Sequence, residues 1–141
     1  MMWDYPRPDW LMSWIHPAST SSGPWGFIGT NPILVYGDDP YLKQGKGRRH
    51  THIVMAADRQ GEKEHPVTKP LNVWEWLIER MTPDAGAIVY EPFSGSGTTI
   101  IACENLARRC RAVEISPAYV AVALERWSVH TGKTPVLVES A

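Results

Sequence analysis

The sequence predicts an α/β fold with a parallel sheet, and two features of the second half of the chain support this. After residue 62, short apolar runs alternate with longer segments of helical periodicity, and a glycine-containing turn directly follows one of the apolar runs. Strands that alternate with helices form parallel sheets, and the ligands of such sheets lie at the carboxyl ends of the strands. The length of 141 residues and the hydrophobic share of 43% suit a globular chain with a buried core.

The first helix and strand of this region have distinct signals. A helix is predicted over residues 71–81 because apolar side chains recur there at spacings of three and four, namely at Leu71, Trp74, Leu77, Ile78 and Met81. Pro70 precedes this helix, and Pro83 follows it. The apolar run at 87–90 predicts a strand that is buried on both faces.

The remaining elements complete a strand–helix–strand–helix–strand order. A helix is predicted over residues 98–107 and a second strand over 111–115. Ser116 and Pro117 supply an N-cap and a first-turn proline for a helix over 118–129. Residues 134–138 form the predicted third strand.

The composition and the pattern of the sequence change near residue 62. This divides the chain into residues 1–62 and 63–141, which we expect to be parts of one domain. In the first part, short strands are predicted at three places: 10–15, 27–28 and 33–36. Residues 17–23 form a loop by their composition. Residues 42–52 contain several lysines and arginines and no acid, which predicts a basic, flexible loop.

Tryptophan is unusually frequent. The sequence has seven tryptophans, and those near its beginning are Trp3, Trp10, Trp14 and Trp25. Tryptophans pack in cores and against prolines, and they also stack on nucleic-acid bases. The sequence favours packing in the core and against prolines here, with base stacking as the alternative.

The composition excludes several classes of protein. The net charge is −1, so attraction to nucleic acid would come from a local patch. Cys103 and Cys110 are too few for a disulfide framework and have no histidines at zinc-ligand spacing, so we expect small buried hydrophobes. The sequence shows neither a long apolar run nor a signal-peptide pattern, so we expect a cytoplasmic protein with no membrane and no metal partner.

Residues 90–99 give the strongest chemical signal. They follow a predicted strand and open a predicted helix, and Gly95 and Gly97 allow a ligand to lie against the main chain. The turn lacks the lysine of a Walker loop, and Ile100 stands where a dinucleotide fingerprint has its third glycine. A plain strand-to-helix turn also explains the glycines alone.

Glu114 lies at the end of the next predicted strand. A carboxylate at this position accepts hydrogen bonds from both hydroxyls of a ribose. An acid at a strand end is often only solvated, but together with the glycine turn it favours a nucleoside ligand.

Three segments resemble motifs of the DNA amino-methyltransferases, which act on adenine N6 or cytosine N4. Residues 91–99 (EPFSGSGTT) resemble motif I, whose usual first residue is Asp. Residues 65–70 (HPVTKP) resemble motif X, and residues 108–115 (RRCRAVEI) are similar to the motif II region. The order of the motifs is that of the C-terminal portion of the β-group enzymes, and the resemblance covers about residues 65–127.

The resemblance implies a Rossmann-like, S-adenosylmethionine-dependent methyltransferase fold, with a mostly parallel sheet and helices on both faces. It implies S-adenosylmethionine as cofactor and double-stranded DNA as partner, with methyl transfer to an exocyclic amino group, as in restriction–modification systems or prophages. The implied cofactor-binding residues are Thr68, Lys69, Pro70, Glu91, Pro92, Phe93, Ser94, Gly95, Ser96, Gly97, Thr98 and Glu114.

The family match assigns separate roles to these residues. Glu91 would lie near the methionine amino group, and Glu114 would hold the ribose. Residues 68–70 would line the methionine end from the start of the predicted helix, where free backbone N–H groups favour a carboxylate.

The catalytic residues are not identified. Enzymes of this family use a segment of the form [D/N/S]-P-P-[Y/F/W], motif IV, whose aromatic ring stacks on a base flipped out of the duplex. The most similar segment in the sequence consists of Asp38, Asp39, Pro40 and Tyr41, which a surface turn also explains.

We therefore expect an incomplete methyltransferase in which the strand before motif IV is missing. Residues 87–138 would supply three strands on one side of the gap, and residues 9–36 would supply pieces of those on the other side. Unpaired strand edges attract further strands, so we expect a second polypeptide or a second copy to complete the sheet. A noncatalytic cofactor-binding or DNA-binding subunit is the alternative, and an unrelated nucleotide-binding module is a third possibility.

The basic loop is the candidate DNA contact. Its cations are Lys43, Lys46, Arg48 and Arg49, and a few neutralised phosphates would make binding strongly salt dependent. A solvated surface loop is the alternative. His50 and His52 have no third ligand at useful spacing and are not expected to bind a metal.

Overall fold

The structure is a computed structural model that describes residues 6–17, 22–56 and 69–138. The chain forms two compact units, Met1–Ala57 and Asp58–Ala141. Whether the two units form one domain, as the sequence predicts, stays a prediction. Among the described helices, none combines the length and the apolar character needed to cross a bilayer.

The first unit contains a three-stranded sheet. Strand β1 (Trp10–Ile15) lies in the centre, with β4 (Thr30–Val35) antiparallel on one side and β5 (His52–Val54) parallel on the other. Strands β2 (Ser22–Gly23) and β3 (Gly26–Phe27) form a separate short hairpin. Helix α1 (Pro40–Lys43) follows β4.

Most of the predicted elements of the first unit are present, with shifted ends. The first predicted strand is confirmed with the same bounds, whereas the strand predicted at 33–36 begins at Thr30 and ends at Val35. The basic loop over 42–52 begins inside α1 and ends at the first residue of β5.

The prediction of tryptophan core packing is wrong for two of the described side chains. Trp25 is fully exposed and Trp10 is 61% exposed. Trp14 is half-buried, and its indole N–H donates a hydrogen bond to the carbonyl of Met55 over 2.8 Å. Trp3 lies outside the described residues. Tryptophan composition alone overstates burial because it does not say which face of a strand or turn is covered.

The second unit is a β–α–β arrangement with further helices packed against it. Its elements are α2 (Leu71–Met81), β6 (Ile88–Glu91), α3 (Thr98–Asn105), β7 (Arg109–Ala112) and α4 (Pro117–Thr131). Strands β6 and β7 pair in parallel, and α3 packs against β7, α2 and α4. The predicted order is confirmed from the first strand of this unit to its last helix, and α2 has the predicted bounds.

A small core holds this unit together. Ile78 of α2 and Ala102 and Cys103 of α3 are buried, and Val89 and Cys110 of the two strands pack against them. The prediction that the cysteines are apolar packing residues is therefore confirmed for Cys103 and, with partial burial, for Cys110. A hydrogen bond with Cys110, together with burial, raises the pKa of the Cys103 thiol.

The second strand begins and ends earlier than predicted. The sequence predicts it over 111–115, but β7 ends at Ala112 because its register pairs that residue with Glu91, the last residue of β6. The Val113 N–H still donates to the Glu91 carbonyl over 2.8 Å, after which the chain leaves the sheet. Ile115 is 97% exposed, so its apolar character does not mark a buried strand position.

Two further predictions for this unit are wrong. The strand predicted over 134–138 is absent from the described residues, where Val136, Leu137 and Val138 are at least 80% exposed and lie outside any sheet. The predicted burial of β6 on both faces is also wrong, because Ile88 and Tyr90 are more than 60% exposed. The described helices therefore leave this face of β6 uncovered.

Candidate functional site

The glycine turn lies between β6 and α3, at the carboxyl end of β6. Gly95 and Gly97 both have positive φ angles, 53° and 83°, and Gly97 is the N-cap of α3. A Cβ atom at Gly97 would lie 2.7 Å from the Cβ of Ala123 in α4, whereas a Cβ atom at Gly95 would meet nothing within 4 Å. Gly97 is thus required by helix packing, and Gly95 leaves its side of the turn open.

Glu114 joins the glycine turn to the end of β7. One of its carboxylate oxygens accepts a hydrogen bond from the Gly95 N–H over 2.7 Å, and the other accepts one from the Ser116 N–H over 2.9 Å. These bonds lower the pKa of Glu114, since they favour the ionised form, and Ser116 makes the larger contribution. A carboxylate has about four acceptor positions, so both oxygens keep capacity for a ligand.

Ser116 and Pro117 occupy the predicted positions at the start of α4. Ser116 is the N-cap residue and Pro117 is at the first turn, but the Ser116 side chain makes no capping hydrogen bond to the helix. Its backbone N–H binds Glu114 instead. The sequence signal for a helix start thus also marks a contact of the candidate site.

Glu91, at the end of β6, holds the turn through two further hydrogen bonds. One of its carboxylate oxygens accepts the Phe93 N–H over 2.9 Å, and the other accepts the hydroxyl of Thr99 over 3.0 Å. Thr99 is 5% exposed and lies in the first turn of α3. Glu91 at the end of β6 and Glu114 just after β7 therefore place two carboxylates on either side of the glycine turn.

The start of α2 lies beside the start of α3. The hydroxyl of Thr98 donates to the carbonyl of Lys69 over 3.5 Å, and Thr98 is 4% exposed. Lys69 and Pro70 therefore lie close to the glycine turn, as the motif comparison predicts, and Pro70 is the N-cap residue of α2. Thr68 and the rest of residues 65–68 lie outside the described residues.

The polar and apolar groups of this site fit an S-adenosylmethionine ligand. Two carboxylates lie at the ends of the strands, and the Ser94 hydroxyl is buried without a hydrogen-bond partner among the described residues. Phe93 is 88% exposed, and Ile115, next to Glu114, is 97% exposed. Exposed apolar groups beside hydrogen-bond acceptors suit a ligand that has a flat aromatic purine ring together with a ribose.

Helix α4 supplies contacts that sequence reasoning missed. The Arg126 guanidinium donates from Nη1 to the carbonyl oxygen of Ser96 over 2.7 Å and to its hydroxyl over 2.9 Å. Ala123 of the same helix lies against Gly97. A small residue and an arginine three positions apart lie on one face of a helix, but that spacing is too common to have identified them.

The cations of the basic loop differ in their surroundings. Lys43 forms an exposed ion pair with Asp38 over 2.9 Å, and this pair lowers the pKa of Asp38. The Arg49 guanidinium lies over the ring of Tyr41, 4.0 Å from its centroid. Lys46 and Arg48 are exposed.

The segment compared with motif IV forms the start of α1. The Asp39 carboxylate accepts hydrogen bonds from the N–H groups of Tyr41 and Leu42, and Pro40 is in the first turn. Tyr41 is 4% exposed. These contacts give Asp39 and Tyr41 structural roles at the start of a short helix. A catalytic role of the segment stays a prediction. The rings of His50 and His52 lie 5.7 Å apart, and the described part of the chain contains no group of three or more potential metal-ligating side chains.

Comparisons with known proteins match this geometry. Residues 12–125 match the family model N6_N4_Mtase, described as DNA methylase. The chain is 39% identical to the type II methyltransferase M.HpaI of Haemophilus parainfluenzae over 70 residues, which is 48% of this chain and 21% of that protein. It is 35% identical to the type II methyltransferase M.HindIII of Haemophilus influenzae over 62% of this chain and 28% of that protein.

Solved structures have the same fold. The PvuII DNA methyltransferase (cytosine-N4-specific) superposes with a TM-score of 0.64 and 18% identity over 83% of this chain and 50% of that one. TTHA0409 of Thermus thermophilus, a putative DNA modification methylase complexed with S-adenosyl-L-methionine, gives 0.54 and 25% identity over 85% and 52%. The chain thus spans about half of these structures and less than a third of the curated relatives' length.

These likenesses confirm two predictions. The Rossmann-like methyltransferase fold is confirmed by the structural neighbours, and the motif resemblance is confirmed at the level of the family. The family model matches most of the sequence, across both compact units. The chain therefore belongs to the N6_N4_Mtase family of DNA methylases.

Proposed function

We propose that this chain binds S-adenosylmethionine at the carboxyl ends of β6 and β7 and takes part in methyl transfer to an exocyclic amino group of adenine or cytosine in DNA. The single observation that supports this most is the hydrogen bond between Glu114 and Gly95, over 2.7 Å. This hydrogen bond joins the acid that follows β7 to the glycine turn that follows β6.

Different residues of the site would contact different parts of the ligand. The remaining acceptor positions of Glu114 would bind the ribose hydroxyls, and Phe93 and Ile115 would lie against the adenine. Glu91 would attract the methionine ammonium group, since opposite charges favour each other most where water is partly excluded. The backbone N–H groups at the start of α2, next to Lys69, would receive the methionine carboxylate.

When bound, S-adenosylmethionine supplies a methyl group attached to a positively charged sulfur. The contribution of the protein is to hold the ligand in one orientation, so that a target amino nitrogen in line with the sulfur–methyl bond reacts. Residues 91–98 would serve this role because a rigid turn between a strand and a helix fixes the ligand at low entropic cost.

We propose double-stranded DNA as the macromolecular partner, with the basic loop as a phosphate contact. Arg48 and Lys46 are exposed, and the ion pair between Lys43 and Asp38 is solvent-exposed, so DNA phosphates would compete with it at little cost. Such contacts position a protein on DNA without selecting a sequence.

A second candidate function is that of a cofactor-binding or DNA-binding subunit whose catalytic segment is on another polypeptide or a second copy. The exposed Ile88 and Tyr90 on β6 favour it, because an uncovered apolar strand face suits further protein. The 141-residue sequence also contains no Pro-Pro-aromatic segment.

Methyl transfer distinguishes the two candidates. The purified chain is incubated with S-adenosylmethionine labelled in its methyl group and with unmethylated duplex DNA, alone and with a polypeptide that contains a Pro-Pro-aromatic segment and transfers no methyl group by itself. Labelled DNA from the chain alone supports the first candidate, and cofactor binding with transfer only in the mixture supports the second. Mass spectrometry of the nucleosides then identifies adenine or cytosine. A folded chain that neither binds the cofactor nor supports transfer contradicts both.

A further inference from the structure

Helix α4 contacts the glycine turn at Ser96 and Gly97, next to the two residues that bond to the segment after β7. The turn is fixed in steps: the Ser94 N–H donates to the Val113 carbonyl over 3.0 Å, and the Gly95 N–H donates to Glu114 over 2.7 Å. Both partners follow β7. Ser96, the next residue, is held instead by the Arg126 guanidinium, which binds its carbonyl over 2.7 Å and its hydroxyl over 2.9 Å.

The contact holds the carbonyl of the peptide between Ser96 and Gly97, while the N–H of the same peptide donates to the Ser94 carbonyl over 3.0 Å. A carbonyl that accepts a charge-assisted hydrogen bond is held more strongly than one that faces water. The positive φ of Gly97 is accessible to glycine at no steric cost, so the glycine itself does not restrict this peptide to one conformation. Ala123, one turn before Arg126, limits the space on the other side of Gly97.

We propose that Arg126 is a positioning residue that holds the glycine turn in its ligand-binding conformation before the ligand arrives. This inference rests on the proposed cofactor site and adds to it a residue outside the three motifs. Arg126 acts through Ser96 and does not need to contact the ligand. Its removal leaves the Ser96 carbonyl without this bond, so the peptide before Gly97 samples more conformations, and part of the binding free energy is then spent on ordering it.

The test compares Arg126→Ala and Arg126→Lys with the wild-type chain and with Arg109→Ala as a control. Arg109 is exposed and begins β7, at the opposite end of the strand from Glu114, so its substitution removes the same charge away from the turn. Titration calorimetry measures S-adenosylmethionine affinity. We expect about a tenfold loss for Arg126→Ala, a smaller loss for Arg126→Lys, which keeps one donor group, and none for Arg109→Ala.

A second measurement uses the ligand-free protein. Amide hydrogen exchange is expected to be faster at Gly97 in Arg126→Ala, with unchanged exchange in β6 and in α2. A merely structural role would speed exchange across the whole unit and lower the melting temperature in proportion. A direct ligand contact would weaken binding without changing the exchange at Gly97. Either result overturns the proposal.

The two readouts separate this inference from the proposed function. If the folded wild-type chain binds no S-adenosylmethionine, the proposed function fails, and exchange at Gly97 alone decides whether Arg126 orders the turn. If the wild type binds and Arg126→Ala binds equally well, the proposed function stands and the positioning role is refuted.

Discussion

The Glu114 carboxylate accepts a hydrogen bond from the Gly95 N–H over 2.7 Å, across the ends of two parallel strands. The two residues are 19 positions apart in the sequence. Their contact makes one site from two motifs, because a ligand that lies on the open side of Gly95 is within reach of the carboxylate. The stability of the turn and the proposed binding of a nucleoside therefore depend on the same side chain.

The first prediction concerns pH. Hydrogen bonds from Ser116 and Gly95 hold the pKa of Glu114 below its ordinary value. The stabilisation is therefore fully present above the pKa that Glu114 has in the unfolded chain, and it is lost as the pH falls through the lowered pKa. Glu114→Gln lacks this titration, so its melting temperature is expected to approach that of the wild type as the pH falls from 7 to 3.

Glu125→Gln is the matched control, since Glu125 is an exposed residue of α4. Its melting temperature is expected to run parallel to that of the wild type over the same range. A Glu114→Gln curve that also runs parallel to the wild type would contradict the proposed effect of the two hydrogen bonds.

The second prediction concerns Gly97. An alanine there places its Cβ 2.7 Å from the Cβ of Ala123 and has to adopt a φ of 83°. Gly132→Ala, at the end of α4, has a similar φ of 70° but meets nothing within 4 Å. We expect Gly132→Ala to cost about 1 kcal/mol and Gly97→Ala about 2 to 4 kcal/mol in the free energy of unfolding, measured with urea. Equal costs would show that packing against α4 does not restrict this position.

The third prediction concerns the brace between Glu91 and Thr99. Thr99→Val keeps the shape of the buried side chain but removes the donor to the carboxylate, so we expect a loss of about 1 kcal/mol in the free energy of unfolding.

A related prediction concerns cofactor binding, because Glu91→Asp keeps the charge and introduces the usual first residue of motif I. We expect it to bind S-adenosylmethionine within a few-fold of the wild type, whereas Glu91→Ala binds much more weakly. If calorimetry shows that Glu91→Asp binds S-adenosylmethionine as weakly as Glu91→Ala does, a role for the charge is refuted.

The fourth prediction concerns the basic loop. Each cation that contacts a phosphate adds about 0.9 to the slope of log affinity against log salt concentration. Arg48→Ala is therefore expected to reduce that slope by about one in a DNA-binding titration. The control is Lys133→Ala, which removes a cation paired with Glu104 over 2.9 Å in the second unit. A slope that both variants leave unchanged would favour the solvated-loop alternative.

Local patterns predicted the second unit well because its elements have strong signals. The spacing of apolar residues defined both ends of α2, and the combination of Ser116 and Pro117 located the start of α4. The acid and the glycines of the turn were also identifiable, since their spacing follows from the β–α–β geometry. The contact of Glu114 with Gly95 follows from the same geometry but not from either residue alone.

The sequence predicted burial less well, because the burial of a side chain depends on which other elements of the fold cover it. The apolar run of β6 suggested two covered faces, yet Ile88 and Tyr90 are exposed because the described helices do not cover that face. Trp25 was overestimated as a core residue, since its side chain is fully exposed. Arg126 gave no signal at all, since its role depends on a tertiary contact with a residue 30 positions away.

The most direct test of the proposed cofactor site is calorimetric titration of the folded chain with S-adenosylmethionine, in parallel with Glu114→Ala and Glu125→Ala. We expect the wild type and Glu125→Ala to bind with the same affinity and Glu114→Ala to bind about tenfold more weakly, as loss of a charged hydrogen-bond acceptor predicts. A folded wild-type chain that gives no binding heat, or a Glu114→Ala variant with unchanged affinity, would contradict the assignment of this site.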